Sequence, residues 1–330
     1  MSARDLLLPL IAVLVLGALA FAGLPGTLLN LLIFMMIIAL AAQGWNILGG
    51  FGGLSSFGHA AFFGTGAYTT VILQTSLGVN AWLGLLAGVA LGAAVGAGIG
   101  FLSFRSGLRG SYFALITLAF AEVLRIASNA SEITGGAAGI LLPLDYGFLN
   151  LQFEDRRWFA LLAVLFVGAA LVLARWIERS RFGAYLIAIR ENEQAAQALG
   201  VDVFRVKMGA ITLSAGCTAL AGVLYAQNYL FIDAHVAYGA WISIEALFAA
   251  IVGGLGTMFG PLVGAVALLG LGEITKMVSG GVPGVDLLVF GAILILTVAF
   301  VPGGLMSLRE RLTGRRRPKG ETALRSEEGA

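Results

Sequence analysis

Apolar residues run along this chain in stretches too long for the core helices of a soluble domain, separated by short clusters of glycine, proline and charge. A hydrocarbon layer about 30 Å thick needs about 20 apolar residues per crossing helix, and it holds no water to satisfy open backbone. The pattern predicts ten spans, near 6–23, 28–48, 57–76, 81–104, 111–128, 157–177, 208–230, 242–256, 260–278 and 285–302. The expected fold class is all-α, a polytopic membrane protein of about ten transmembrane helices. Residues 1–302 then form one transmembrane domain and 303–330 a basic tail.

Glycines add a second pattern inside the first. The fourth span places Gly84, Gly88, Gly92, Gly96 and Gly100 four apart on one face, and shorter stripes recur at Ser56, Ala60, Gly64 and at Gly256, Gly260, Gly264. In lipid, where helices gain nothing from hiding apolar surface, small residues let backbones approach closely. The bundle is therefore expected to be dense, with Gly58 and Gly64 among its packing positions. The stretch "GGLSSFG" at 52–58 is echoed by "GGLGTMFG" at 253–260, a hint of two related halves such as transporters carry. The glycines at 49–68 allow either a tight turn between packed spans or a broken, non-helical segment shielded by protein.

Composition agrees with the membrane reading: 59% of the 330 residues are hydrophobic, 12% are charged, and the mean hydropathy is +0.94. Charge orients the chain. With the N-terminus inside, sixteen of the twenty Lys and Arg fall in the first residues, the 105–110 link, the 175–207 region and the tail. Because basic residues in short loops stay cytoplasmic, both termini are expected there. Residues 1–25 also fit a secretory signal, but the apolar run is long for one, and a retained first helix is expected. The lone Cys217 lies inside a span, leaving no disulfide framework and no metal cluster to read.

Ionisable residues inside spans are costly and mark candidate pathway positions. Glu122 with Arg125, and Glu273 with Lys276, are each three apart and so can neutralise one another on a helix face. Glu245 is expected near the outer end of the eighth span, and all five toward the outer side, lining a vestibule or snorkelling to the interface. His59 begins the third span without a second histidine or carboxylate nearby, which favours a polar tie to a neighbouring helix over a proton relay.

The segment "ERSRFGAYLIAIRENEQAAQALGVDVFRVK" (178–207) stands apart as a long amphipathic link among short ones. Asn192 can cap a short helix with an acidic first turn, and Gly200 can end it. The expected product is a charged helix with a small-residue face at Ala195 and Ala196, either a solvated surface helix or a knob that seats in a partner's groove.

Within it, "QAAQALG" (194–200) resembles the EAA-x-x-x-G coupling signature of ABC importer permeases, with Gln194 where Glu is usual and Arg190, Glu191 and Glu193 beside it. Further blocks resemble the LivM-type permeases of branched-chain amino acid ABC transporters. These are "NILGGFGGLSSFGHAAFFGTGAY" (46–68), "RGSYFALITLAFAEVLR" (109–125), "TGG" (134–136), "RFGAYLIAIRENEQAAQALGVDVFRVK" (181–207), "GGLGTMFGPLVGA" (253–265) and "VPGGL" (301–305). The resemblance implies a subunit of the plasma (inner) membrane that works with a second, LivH-type permease, two cytoplasmic ATPases and an extracytoplasmic binding protein. It implies no cofactor on this chain and no nucleic-acid partner. ATP would be used by the partner subunits, and residues 178–207 would receive their motion.

The residues agree on one point: no G-x-x-x-x-G-K-[ST] occurs, so no P-loop handles ATP here. An ion-coupled secondary transporter would need ionisable groups near the midplane, and a membrane enzyme would need a nucleophile or metal constellation that is not visible. A permease for urea or short amides is the nearest alternative substrate class.

Overall fold

The computed structural model describes residues 3–279 and, beyond them, 284, 285, 288, 289, 291, 292, 295 and 303–307. In chain order the helices are α1 (Ala3–Ala20), α2 (Gly26–Trp45), α3 (His59–Leu77), α4 (Ala81–Arg105), α5 (Gly110–Ala130), α6 (Arg156–Arg179), α7 (Arg181–Glu191), α8 (Glu193–Ala198), α9 (Val203–Tyr229), α10 (Ala234–Ala237), α11 (Ala240–Gly253) and α12 (Gly260–Val278). A π-helical turn, Asn46–Phe51, prolongs α2. Two short strands, β1 (Ile140–Leu141) and β2 (Phe231–Ile232), pair antiparallel with Ile140 opposite Ile232.

Nine of the ten expected spans coincide with helices, namely α1–α6, α9, α11 and α12. Among the described residues, however, only seven helical segments are long and apolar enough to cross a membrane by themselves. The apolar part of α1, Asp5–Ala20, is too short, and α3 is made more polar by His59, four threonines and Gln74. Both pack against longer helices, which relieves each of having to face lipid all round. The tenth expected span, 285–302, lies mostly outside the described residues, as does the tail beyond 307.

α2 is the hub. It is nearly all buried and packs against α6, α9, α11 and α12. Beside it α3, α4 and α9 form a close triad whose contact surface is the glycine stripe. A Cβ on Gly92 would run into Ala219, one on Gly96 into Ala215, and one on Gly66 into the backbone of Ala219. Such proximity supplies the dispersion contacts that hold helices together in lipid. The second stripe acts likewise between α11 and α12, where Gly264 lies against the carbonyl of Ala249.

One end of the bundle collects the start of α1, the π turn, the α4–α5 link, the end of α6, α7, α8, the start of α9 and the 254–259 loop. Asp5 pairs with Arg175 at 3.2 Å and Arg179 at 2.7 Å, fixing α1 to this end. Gly304 packs on Gly253 and Gly254, so the chain after the tenth expected span returns to the same end. The opposite end carries the β pair, α10 and the 131–155 link.

Candidate functional site

The 178–207 segment folds as two helices rather than one. Ser180 caps α7 by accepting from the Gly183 amide at 3.1 Å, and Asn192 caps α8 by accepting from the Ala195 amide at 3.0 Å. Gly200, at φ +87°, supplies the left-handed residue that lets the chain leave α8. Leu186 and Ile189 of α7 sink into the bundle. On α8 only Ala196 is buried, while Gln194 and Ala195 are exposed and Leu199 is 86% exposed at the tip. The expected small-residue face is thus split. Adjacent helical residues diverge by about 100°, so Ala195 and Ala196 cannot share a face on so short a helix.

Three polar ties fasten this element to the bundle. Glu193 binds the Lys207 ammonium of α9 at 2.7 Å and lies 3.5 Å from the Arg109 guanidinium before α5. Lys207 is only 4% exposed and also lies over the Phe104 ring. Arg190 pairs with Glu191 at 2.9 Å and donates from Nη1 to the Gly50 carbonyl at 2.9 Å. Glu178, at the end of α6, accepts from the Met258 amide at 2.8 Å while holding Arg175 at 2.9 Å.

The receiving surface is itself a polar junction. Asn46 accepts from the Gly256 amide at 2.8 Å and donates to the Thr257 carbonyl at 3.0 Å, and Gln43 donates to the Met258 carbonyl at 2.7 Å. The second echoing glycine motif therefore supplies the loop that the π turn holds, and the first begins at Gly52, directly after that turn. After Phe51 the chain has no helix until His59, so residues 52–58 are broken backbone, with Gly53 and Ser55 exposed and the others buried or half-buried. Asn46 and Gly53 fall within the 46–68 block and Glu178 opens the 178–207 segment, but nothing local pairs them with their partners, and Gln43 is marked only as an amide three residues before Asn46 in an apolar run.

The remaining candidates are dispersed. His59 is fully buried and its Nε2 shares a hydrogen bond with Ser214 Oγ of α9 at 2.9 Å. Gly58 lies against Thr117 of α5, and Gly64 against the Tyr238 ring. Glu122 and Arg125 form a bidentate pair at the far end, where Arg125 also meets His235 Nδ1 at 3.1 Å. Glu273 and Lys276 are 4.0 Å apart near the end of α12. Glu245 is the sixth of the 14 residues of α11, in the half toward α10, and it lines a niche with Ile38, Ala249, Ala265, Leu268 and Leu269. Its Oε2 has no hydrogen-bond partner among the described residues.

Residues 27–298 match the family model described as the branched-chain amino acid transport system permease component. The chain belongs to this family. It is 30% identical over 297 residues to the LivM permease protein of the high-affinity branched-chain amino acid transport system of Escherichia coli K12, covering 83% of this chain and 68% of that one. A probable LivM protein of Methanocaldococcus jannaschii is 26% identical, covering 62% of this chain and 63% of its own. The LivH permease protein of Salmonella typhimurium is 25% identical, over 82% of this chain and 92% of its own. No solved structure matches the chain. This permease is accordingly a multi-pass membrane protein and a transport component rather than an enzyme. Its likeness to both LivM and LivH places it among permeases that occur as related pairs.

Proposed function

We propose that this chain is the LivM-type half of the permease core of an ABC importer in the inner membrane, and that it moves branched-chain amino acids inward. Its partners in this reading are a LivH-type permease, two cytoplasmic ATPases and an extracytoplasmic binding protein that selects the substrate. ATP is used by the ATPases alone. The end bearing α7 and α8 is the cytoplasmic one in this reading, supported by the basic residues gathered there.

The observation that carries the reading is the mounting of α8. A small helix with an exposed leucine at its tip is fixed by charged groups to α5 and α9 and, through α7, to the core. Exposed apolar anchors flanked by polar residues are what a partner's groove takes up. Gln194, Ala195, Glu191 and Leu199 face the ATPase, whereas Arg190, Glu193 and Ala196 face the bundle and Gly200 closes the turn. A nucleotide-driven shift of the groove then biases two bundle states separated by only a few kcal/mol.

The test is uptake of radiolabelled leucine by proteoliposomes holding this chain with or without the partner set and ATP. Accumulation only with the complete set is expected. Leucine entry through this chain alone would remove the ATPase-coupled reading. An assembled set that hydrolyses ATP without moving leucine, but moves urea, would reassign the substrate.

A further inference from the structure

Arg190 sits among residues expected to face the ATPase, yet its guanidinium turns the other way. Nη1 reaches the carbonyl of Gly50, near the C-terminal end of the π turn that ends α2, where the helix dipole favours a cation. The aliphatic stem runs across Gly53. That residue has φ +67°, and any Cβ there would strike Arg190 Cγ. The glycine thus meets two demands, a left-handed turn and room for an arginine stem.

One turn back on α2, Asn46 holds the 254–259 loop by both ends of its amide. A Cβ on Gly50 would collide with that amide and with the Gly256 nitrogen, so the π turn and the loop are in direct backbone contact. The planar guanidinium divides its donors between Gly50 and Glu191, leaving Arg190 spread between α7 and the π turn.

We propose that Arg190 is the positioning residue through which displacement of α7 and α8 reaches the centre of the bundle, by gripping the π turn of α2 and, through Asn46, carrying the 254–259 loop with it. Two broken segments from opposite halves of the chain then move as one piece. The π turn leads through residues 52–58 into α3, and the loop leads directly into α12. The inference rests on the reading of α8 as the ATPase-facing element and adds the route by which its motion enters the membrane.

The experiment uses the complete importer in proteoliposomes and reads leucine accumulated per ATP hydrolysed, with co-purification of the ATPases recorded for each variant. Arg190→Ala is expected to keep the ATPases bound while lowering the ratio at least tenfold. Arg190→Lys, which keeps the charge but not the fork, is expected to recover part of it. Gly53→Ala, which displaces the stem without touching the exposed face of α8, is expected to lower the ratio in the same direction. A ratio within twofold of the parent for Arg190→Ala or Gly53→Ala overturns the proposal. Loss of the ATPases from both variants overturns it as well, because Arg190 would then serve assembly rather than transmission. Failure of the underlying reading has a separate signature: Leu199→Arg would leave ATPase binding intact.

Discussion

Asn46 and Gly256, 210 residues apart in sequence, are joined by a hydrogen bond of 2.8 Å in which the asparagine carbonyl accepts the glycine amide. The other end of the same side chain donates to Thr257. No other residue type offers both a donor and an acceptor in this short planar form. Asn46→Ala would leave one amide and one carbonyl without partners, at a cost of about 1–3 kcal/mol. A lowered Tm of the purified permease is expected, together with impaired uptake. Asn46→Asp keeps the acceptor but sets a carboxylate oxygen against the Thr257 carbonyl at a fully buried site, so it should lower the Tm at least as far as Ala; equal Tm for all three would refute the assigned geometry.

The glycine stripe makes a graded prediction. Gly92→Leu and Gly66→Leu push side chains into Ala219 and should cost at least about 1–3 kcal/mol, enough to reduce the yield of folded protein. Gly98 lies on the same helix, α4, with nothing within 4 Å of its ideal Cβ. Gly98→Ala should be neutral or stabilising by up to about 1 kcal/mol. Thermal melts in detergent read both.

Glu193 and Lys207 invite a double-mutant cycle. Glu193→Ala strands a nearly buried ammonium, which typically costs about 3–5 kcal/mol when a buried pair is broken from one side. The double variant Glu193→Ala/Lys207→Met removes the stranded charge and should regain most of that loss. Additive destabilisation in the cycle would mean that the two groups are not coupled.

Glu245 sits in an apolar niche with one oxygen unpartnered among the described residues. Glu245→Leu replaces a costly polar group with one that matches Ile38, Leu268 and Leu269, so the Tm should be unchanged or higher. If uptake collapses while Tm holds, the carboxyl serves transport; if both hold, it is incidental.

Leu199 is the converse case, a side chain with almost no role inside the chain. Leu199→Ser should change stability by no more than about 0.5 kcal/mol. It should nevertheless weaken ATPase co-purification, because truncating an interface anchor commonly costs more than about 1 kcal/mol of binding.

The membrane fold was readable because hydropathy and length govern it directly. The spans expected at 81–104 and 260–278 match α4 and α12 to within one residue, and the cap at Asn192 and the turn at Gly200 stand where residue type places them. What could not be read depends on contacts distant in sequence. The π turn sets Asn46 against Gly256, and Gly53 leaves room for the inward-turned Arg190. Neither contact is local.

The Asn46 and Gln43 bonds also set a timetable for biogenesis. Both amides enter the bilayer with α2, but their partners, Gly256, Thr257 and Met258, are made more than 200 residues later. At about 5–20 residues per second, translation leaves α2 waiting about 10–40 s for the groups that complete it. During that interval Gln43 and Asn46 lack the partners that hold the 254–259 loop, and they gain them only when the last quarter of the chain is inserted.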